Sequence, residues 1–147
     1  LLLSTGMSDA GDVVGATAAV EAVRSSGICG VLLHSVSTYP TDVENLNLRH
    51  IAHMRDMYAP TWLVGYSGHE RGVGTSVHAA SIGACVVERH VTLDRAMWGS
   101  DQAASLEPPG FKLLVRDIRN NEKAMGDGQK RLMPGEAEVR AKLRRAR

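Results

Sequence analysis

Four short apolar runs, at residues 1–4, 30–35, 62–67 and 84–90, limit the folds open to this chain more than any other feature. Each is strand-sized, and each is followed by a segment long enough for a helix. Parallel strands need crossovers of about a dozen residues or more, whereas antiparallel strands can be joined by tight turns. Apolar runs without strict alternation also suit strands covered on both faces. The pattern therefore predicts a repeated β-α unit and a parallel sheet with helices packed on it.

Residues 9–26 carry Val13, Val14, Ala16, Val20 and Val23 at largely helical spacing, with Ser8 or Asp9 as a cap. Residues 46–58 place Leu48, Ile51, Ala52 and Met54 in a mixed amphipathic pattern that Pro60 closes. Residues 72–83 hold small residues with Val73, Val77 and Ile82, suited to close packing on a sheet although the glycines weaken helix propensity. A fourth helix is expected over 110–125, and a charged one begins at Gly135 or Glu136, after Pro134. Four such units make either a small open sheet or half of an eight-stranded barrel. The strand ends favour the barrel. Ser4-Thr5-Gly6, Ser35-Val36-Ser37, Ser67-Gly68-His69 and Glu88-Arg89-His90 all put polar groups at the carboxyl end of an apolar run. A TIM-type (β/α)8 barrel collects its active-site groups there.

Charge excludes one broad class of function. The chain has 17 Lys plus Arg against 16 Asp plus Glu, and only six aromatic residues: Phe111, Trp62, Trp98 and three tyrosines. Nothing here builds a polyanion-binding or base-stacking surface, so nucleic acid is not an expected partner. Residues 130–147 are basic, which suits a solvated terminal helix. No apolar run approaches the roughly 20 residues of a membrane helix. Leu1 to Leu3 are too few for a signal-peptide core. Cys29 and Cys85 both lie in or beside apolar segments and are expected to be buried free thiols, which points to a cytoplasmic protein. The opening Leu1-Leu2-Leu3-Ser4 resembles the end of a core strand, so the chain is expected to be part of a longer one.

Among residues able to do chemistry, His69 and His90 come first. Ser67 and His69 are two apart, as are Glu88 and His90, so an extended backbone aims each pair to one side. Two imidazoles with a nearby carboxylate can hold Mn2+, Zn2+ or Fe2+ and leave positions open for substrate. Polar capping of strand ends is the other reading, and spacing alone leaves both open. Ser4, Ser37 and Ser67 end or follow three successive strands, where hydroxyls can donate to phosphate or carboxylate oxygens. Tyr39, held extended before Pro40, can project over the barrel mouth or pack on its own turn. Asp101 could accept bonds from sugar hydroxyls. Asp94 and Arg95 suit loop salt bridging as well as ligand binding. His34 reads as a satisfied near-core histidine, and His50, His53 and His78 as helix surface or packing residues.

Taken together, Leu3-Ser4-Thr5-Gly6-Met7, Tyr39-Pro40-Thr41, Gly65-Tyr66-Ser67-Gly68-His69-Glu70, Glu88-Arg89-His90-Val91-Thr92-Leu93-Asp94 and Gly99-Ser100-Asp101 through Ser105-Leu106-Glu107-Pro108 resemble the N-acetylneuraminate (sialic acid) synthase family. Gly68 between Ser67 and His69 is similar to the animal-type branch, since common bacterial forms carry aspartate there. The resemblance implies that residues 1–126 are the C-terminal half of a synthase barrel and 127–147 a linker toward an antifreeze-like domain. It implies condensation of phosphoenolpyruvate with N-acetylmannosamine or its 6-phosphate, giving N-acetylneuraminate or its 9-phosphate and phosphate. A homodimer and a divalent ion, Mn2+ or Mg2+, are implied as well. By the same resemblance His69 and His90 are metal ligands and Ser4, Ser37 and Ser67 contact phosphoenolpyruvate. Glu88, Tyr39 and Asp101 then lie on the sugar side, with Glu88, His69 and His90 carrying the catalysis.

Two departures accompany it. Gln102-Ala103-Ala104 replaces the usual histidine-serine-alanine after Asp101, and the lysines expected around phosphoenolpyruvate belong to the other half barrel. The 147 residues alone are expected to be inactive. The alternatives are a different phosphoenolpyruvate-dependent sugar-acid synthase and a non-catalytic half barrel that binds a sugar or an anion.

Overall fold

The computed structural model describes residues 1–24 and 27–144. Four strands, β1 (Leu2–Ser4), β2 (Gly30–Ser35), β3 (Trp62–Gly68) and β4 (Val87–Arg89), form one parallel sheet in the order 1-2-3-4. Each strand joins the same growing edge, so the order never reverses. A doubly wound sheet reverses at its switch point, whereas a barrel wall advances in one direction. This is a partial (β/α)8 barrel, as the strand-end chemistry predicts.

Helices α1 (Ala10–Ala22), α2 (Arg49–Tyr58) and α3 (Gly74–Ser81) follow the first three strands, and α4 (Pro108–Met125) follows β4 after a long connection. Alternation along the strands sorts the two faces. Leu32 and Val64 are register partners, and with Ile51, Met54, Trp62, Tyr66 and Ala79 they build the core beneath the helices. Val13 and Val20 of α1 and Ile82 after α3 pack against the same cluster. The opposite face carries Leu33, Gly65, Ser35, Ser67 and Glu88 in register, and this becomes the inner wall. Leu2 and Leu63 stand exposed on it toward the amino ends of the strands.

Several local expectations shift. Asp9, not Ser8, caps α1, in a reciprocal box with Asp12. The helix stops at Ala22, and Ser25 and Ser26, the last part of the expected span, lie outside the described residues. Removing the Asp9 side chain leaves an orphan amide at the first turn and costs about 1 kcal/mol in general. Asp9→Ala should lower the urea midpoint accordingly, with Asp9→Ser close to wild type. The second helix begins at Arg49 rather than at residue 46, because Asn47 takes a positive φ of 45° that breaks it from the preceding turn at Val43–Asn45. The fourth starts two residues earlier than expected, since Pro108 at its first position needs no amide partner. Cys29 is buried as expected, but Cys85 is exposed, so only one thiol belongs to the core. The terminal helix α5 (Glu136–Leu143) buries no residue. Among the described residues no helix is long and apolar enough to cross a membrane.

Candidate metal and anion site

The carboxyl ends of β2, β3 and β4 bring the predicted residues together. Ser67 ends the inner face of β3, and Glu88 is its register partner on β4. His69 and His90 each follow by two residues. One ligand atom from each of His69, Glu88 and His90 lies within 4.8 Å of the others, close enough to surround a single ion. The two imidazole centroids are 5.1 Å apart.

Backbone contacts fix the tautomer of His69. Its Nδ1 lies 2.7 Å from the Val36 carbonyl, an oxygen that can only accept, so Nδ1 carries the proton. In neutral His69 the lone pair is therefore on Nε2. Ser67 Oγ is 3.4 Å from that nitrogen, but the hydroxyl donates its only proton to Glu88 Oε2 at 2.7 Å. Nε2 is thus a buried acceptor facing its neighbours with no proton to receive. A cation is what such a nitrogen lacks. Donation of the second ring nitrogen to a backbone carbonyl is the common support for a metal-bound histidine. The donor set, two imidazoles and one carboxylate, suits Mn2+, Zn2+ or Fe2+ with positions left open. These residues fit a divalent ion.

The remaining predicted residues flank this cluster. Tyr39 sits over both imidazoles, its ring 4.3 Å from that of His69 and 5.6 Å from that of His90. Asp101 faces His90, Oδ2 to Nδ1 at 3.5 Å, on a half-exposed rim. Among the described residues, Ser4 and Ser37 make no hydrogen bond to the histidines. The Ser4 hydroxyl accepts the Gly6 amide at 3.3 Å, and Ser37 crowds Gly6 so closely that a Cβ there would collide with its hydroxyl. They form a second polar group at the ends of β1 and β2. Ser35 joins the two groups, 3.5 Å from Ser67 between hydroxyl oxygens. Asp94 and Arg95 stay outside the cluster: Arg95 pairs with Glu107, and Asp94 accepts the Ala96 amide.

One element was absent from the sequence-based expectations. Arg89 lies between Glu88 and His90, and strand alternation turns it to the other side of the sheet. There its guanidinium meets Glu70, Nη1 to Oε1 at 3.0 Å, with both side chains fully buried. It also donates to the Gly72 carbonyl, the Ser76 hydroxyl and the Glu70 and Ala104 carbonyls. Thr75, Ser76 and Tyr66 donate to the Glu70 carboxylate. Burial alone would raise the Glu70 carboxyl, but the Thr75 hydroxyl, Arg89 and the other donors outweigh it and hold the group below its ordinary 4.5. Burial, then the Glu70 charge, pushes the Tyr66 phenol far up, so it stays a donor. The signal was present: a charged residue turned toward the helix layer from a short strand needs a buried partner. Gly68 is enclosed by this network, where a Cβ would come within 2.7 Å of both Glu70 and Tyr66.

Comparison with known proteins is consistent with this arrangement. Over 111 residues, 76% of this chain, it is 45% identical to the N-acetylneuraminate-9-phosphate synthase of Homo sapiens, of which that stretch is 31%. It is 39% identical over 138 residues, 92% of the chain, to the N,N'-diacetyllegionaminic acid synthase of Campylobacter jejuni, covering 40% of that protein. A crystal structure of an N-acetylneuraminic acid (sialic acid) synthetase from Leptospira borgpetersenii superposes over 99% of this chain and 50% of that one, with a TM-score of 0.80 and 31% identity. The chain therefore spans well under two thirds of the curated relatives it matches. The family model described as NeuB family matches residues 1–130. By that match and these identities, the chain belongs to the NeuB family.

Proposed function

We propose that this chain supplies the metal- and anion-binding wall of a phosphoenolpyruvate-dependent synthase that makes N-acetylneuraminate or its 9-phosphate. The observation that carries this is the convergence of His69, Glu88 and His90 at one end of a partial barrel. His69 and His90, with Glu88 beside them, hold a divalent ion, Mn2+ or Mg2+. Bound there, the ion supplies Lewis acidity toward an aldehyde oxygen.

The chain's own residues do the rest of the positioning. Val36 holds His69 through its carbonyl, Asp101 steadies His90, and the Tyr39 ring limits water and ring rotation above both. Ser4, Ser37 and Ser67 donate to the phosphate and carboxylate oxygens of phosphoenolpyruvate, with the Gly6 turn close by. Carbon 3 of phosphoenolpyruvate forms the new bond to the aldehyde carbon of N-acetylmannosamine or its 6-phosphate. Water adds at carbon 2, and phosphate leaves from the resulting tetrahedral centre. Glu88 is placed to hold a proton or to orient a sugar hydroxyl, since its Oε2 already accepts one from Ser67. The 45% identity to the human 9-phosphate synthase makes the phosphorylated acceptor the first to test. In the whole protein, residues 127–147 lead toward an antifreeze-like domain and two copies work as a dimer.

The test is phosphate release by the full-length protein carrying this chain. With phosphoenolpyruvate and Mn2+ it should require N-acetylmannosamine or its 6-phosphate and should yield a nine-carbon acid. Release without an acceptor, or ligand binding without turnover, would defeat the proposal. Turnover only with a different amino sugar would move the chain to another sugar-acid synthase.

A further inference from the structure

A cavity of about 320 Å3 lies between β2, α1 and α2, with Thr5 and Ser35 on its lining and none of His69, Glu88 and His90. His34, His50 and His53 line it, together with Met54, Met57 and Tyr58. None of these has a part in the synthase chemistry above.

His34 is 5% exposed. Its Nε2 lies 2.7 Å from the Leu46 carbonyl, which can only accept, so Nε2 carries the proton. The lone pair is then on Nδ1, which has no hydrogen-bond partner among the described residues. This repeats the arrangement of His69, with one ring nitrogen tied to a carbonyl and the other free. The His50 ring centroid is 5.2 Å from that of His34, against 5.1 Å for His69 and His90. His53 follows one turn later on α2, on the same helix face, with its ring 5.6 Å from that of His50. Burial, and to a smaller degree His50, holds His34 below its ordinary 6.5 against the pull of the Leu46 carbonyl. Burial, then His53, does the same for His50. Both imidazoles are neutral at pH 7 and present lone pairs rather than charge.

We propose that His34, His50 and His53 form a second metal site, selective for an imidazole-seeking transition ion such as Ni2+ or Zn2+. The three rings do not meet at one point as they stand. His34 is the fixed ligand, His50 lies beside it, and exposed His53 completes the set by the side-chain rotation that surface residues make in nanoseconds. Asp9 also lines the cavity, but its Oδ1 accepts the Asp12 amide in the α1 cap. An all-nitrogen donor set suits Ni2+, Cu2+ and Zn2+ and serves Mn2+ and Mg2+ poorly. Occupation would pin α2 to the strand that runs on, two residues later, to the Val36 carbonyl holding His69.

Equilibrium dialysis of the full-length protein carrying this chain against Ni2+, and separately against Mn2+, tests this. Wild type should bind two Ni2+ and one Mn2+ per chain. His50→Ala/His53→Ala should lose one Ni2+ and keep its Mn2+, and so should His50→Gln/His53→Gln, which preserves more of the side-chain volume. His69→Ala should keep one Ni2+. The same Ni2+ count in wild type and in both double variants overturns the second site. The Mn2+ count reads the first site separately, so its loss would count against the synthase metal and leave the Ni2+ result intact.

Discussion

Arg89→Ala is expected to cost the chain about 3–5 kcal/mol, the usual loss when one partner of a buried ion pair is removed. Native domains are stable by only about 5–15 kcal/mol, so the variant should be largely unfolded on mild heating. The size follows from what remains. Glu70 has no solvent access and would be left without the guanidinium that faces it. Gly72 and Ala104 would also lose donors to their carbonyls. Arg89→Lys should not restore stability, because one ammonium cannot span Glu70, Ser76 and three carbonyls as a planar fork does.

The pH dependence gives a second reading of the same network. The folded-state carboxyl of Glu70 is depressed, so its stabilisation is fully present above the ordinary 4.5 and is lost as pH falls through the lower folded value. Without Arg89 the burial contribution that raises the group gains weight, and the decline on the acid side should shrink. Urea midpoints of wild type and Arg89→Ala between pH 3 and 7 would show it. Parallel curves would mean that Glu70 is not held by Arg89.

The placement of strands and helices was legible because both depend on local periodicity. Runs such as Gly-Val-Leu-Leu-His-Ser and Trp-Leu-Val-Gly-Tyr-Ser-Gly are strand-length and apolar, and the segments between them carry helical spacing. The site was legible for a related reason: residues two apart on a strand share a face, which placed Ser67 with His69 and Glu88 with His90. The parts that escaped depend on contacts between elements. Nothing near Val36 reveals that its carbonyl, 33 residues away in sequence, selects the tautomer of His69. Arg89 and Glu70 stood in plain view inside the recognised segments, yet their pairing needs the turn of α3 to bring Thr75 and Ser76 to the carboxylate. Cys85 reads as buried from its apolar neighbours, but it lies just before β4 and is exposed.

Mn2+ binding should fall steeply in His69→Ala, by more than the 10–100-fold that loss of even an outer supporting group typically costs a metal site. The argument rests on Nε2, a buried lone pair without a proton donor in neutral His69, since Ser67 gives its hydrogen to Glu88. His90→Ala removes the second imidazole and should have an effect of similar size. Glu88→Gln keeps the shape but removes the charge. Its Mn2+ affinity should drop less than that of either histidine variant if the carboxylate only assists, and as much if it is a full ligand. Asp101→Asn, acting through His90 across 3.5 Å, should cost about 10–100-fold. In every form binding should weaken on acidification, because protons compete with the ion for the imidazole nitrogens. Isothermal titration of Mn2+ into the four variants and wild type at pH 7.5 and pH 6 reads all of this. Equal affinity in wild type, His69→Ala and His90→Ala would remove the metal from this end of the barrel. The cluster would then be a hydrogen-bonded cap on three strand ends, the alternative that the spacing of these residues left open.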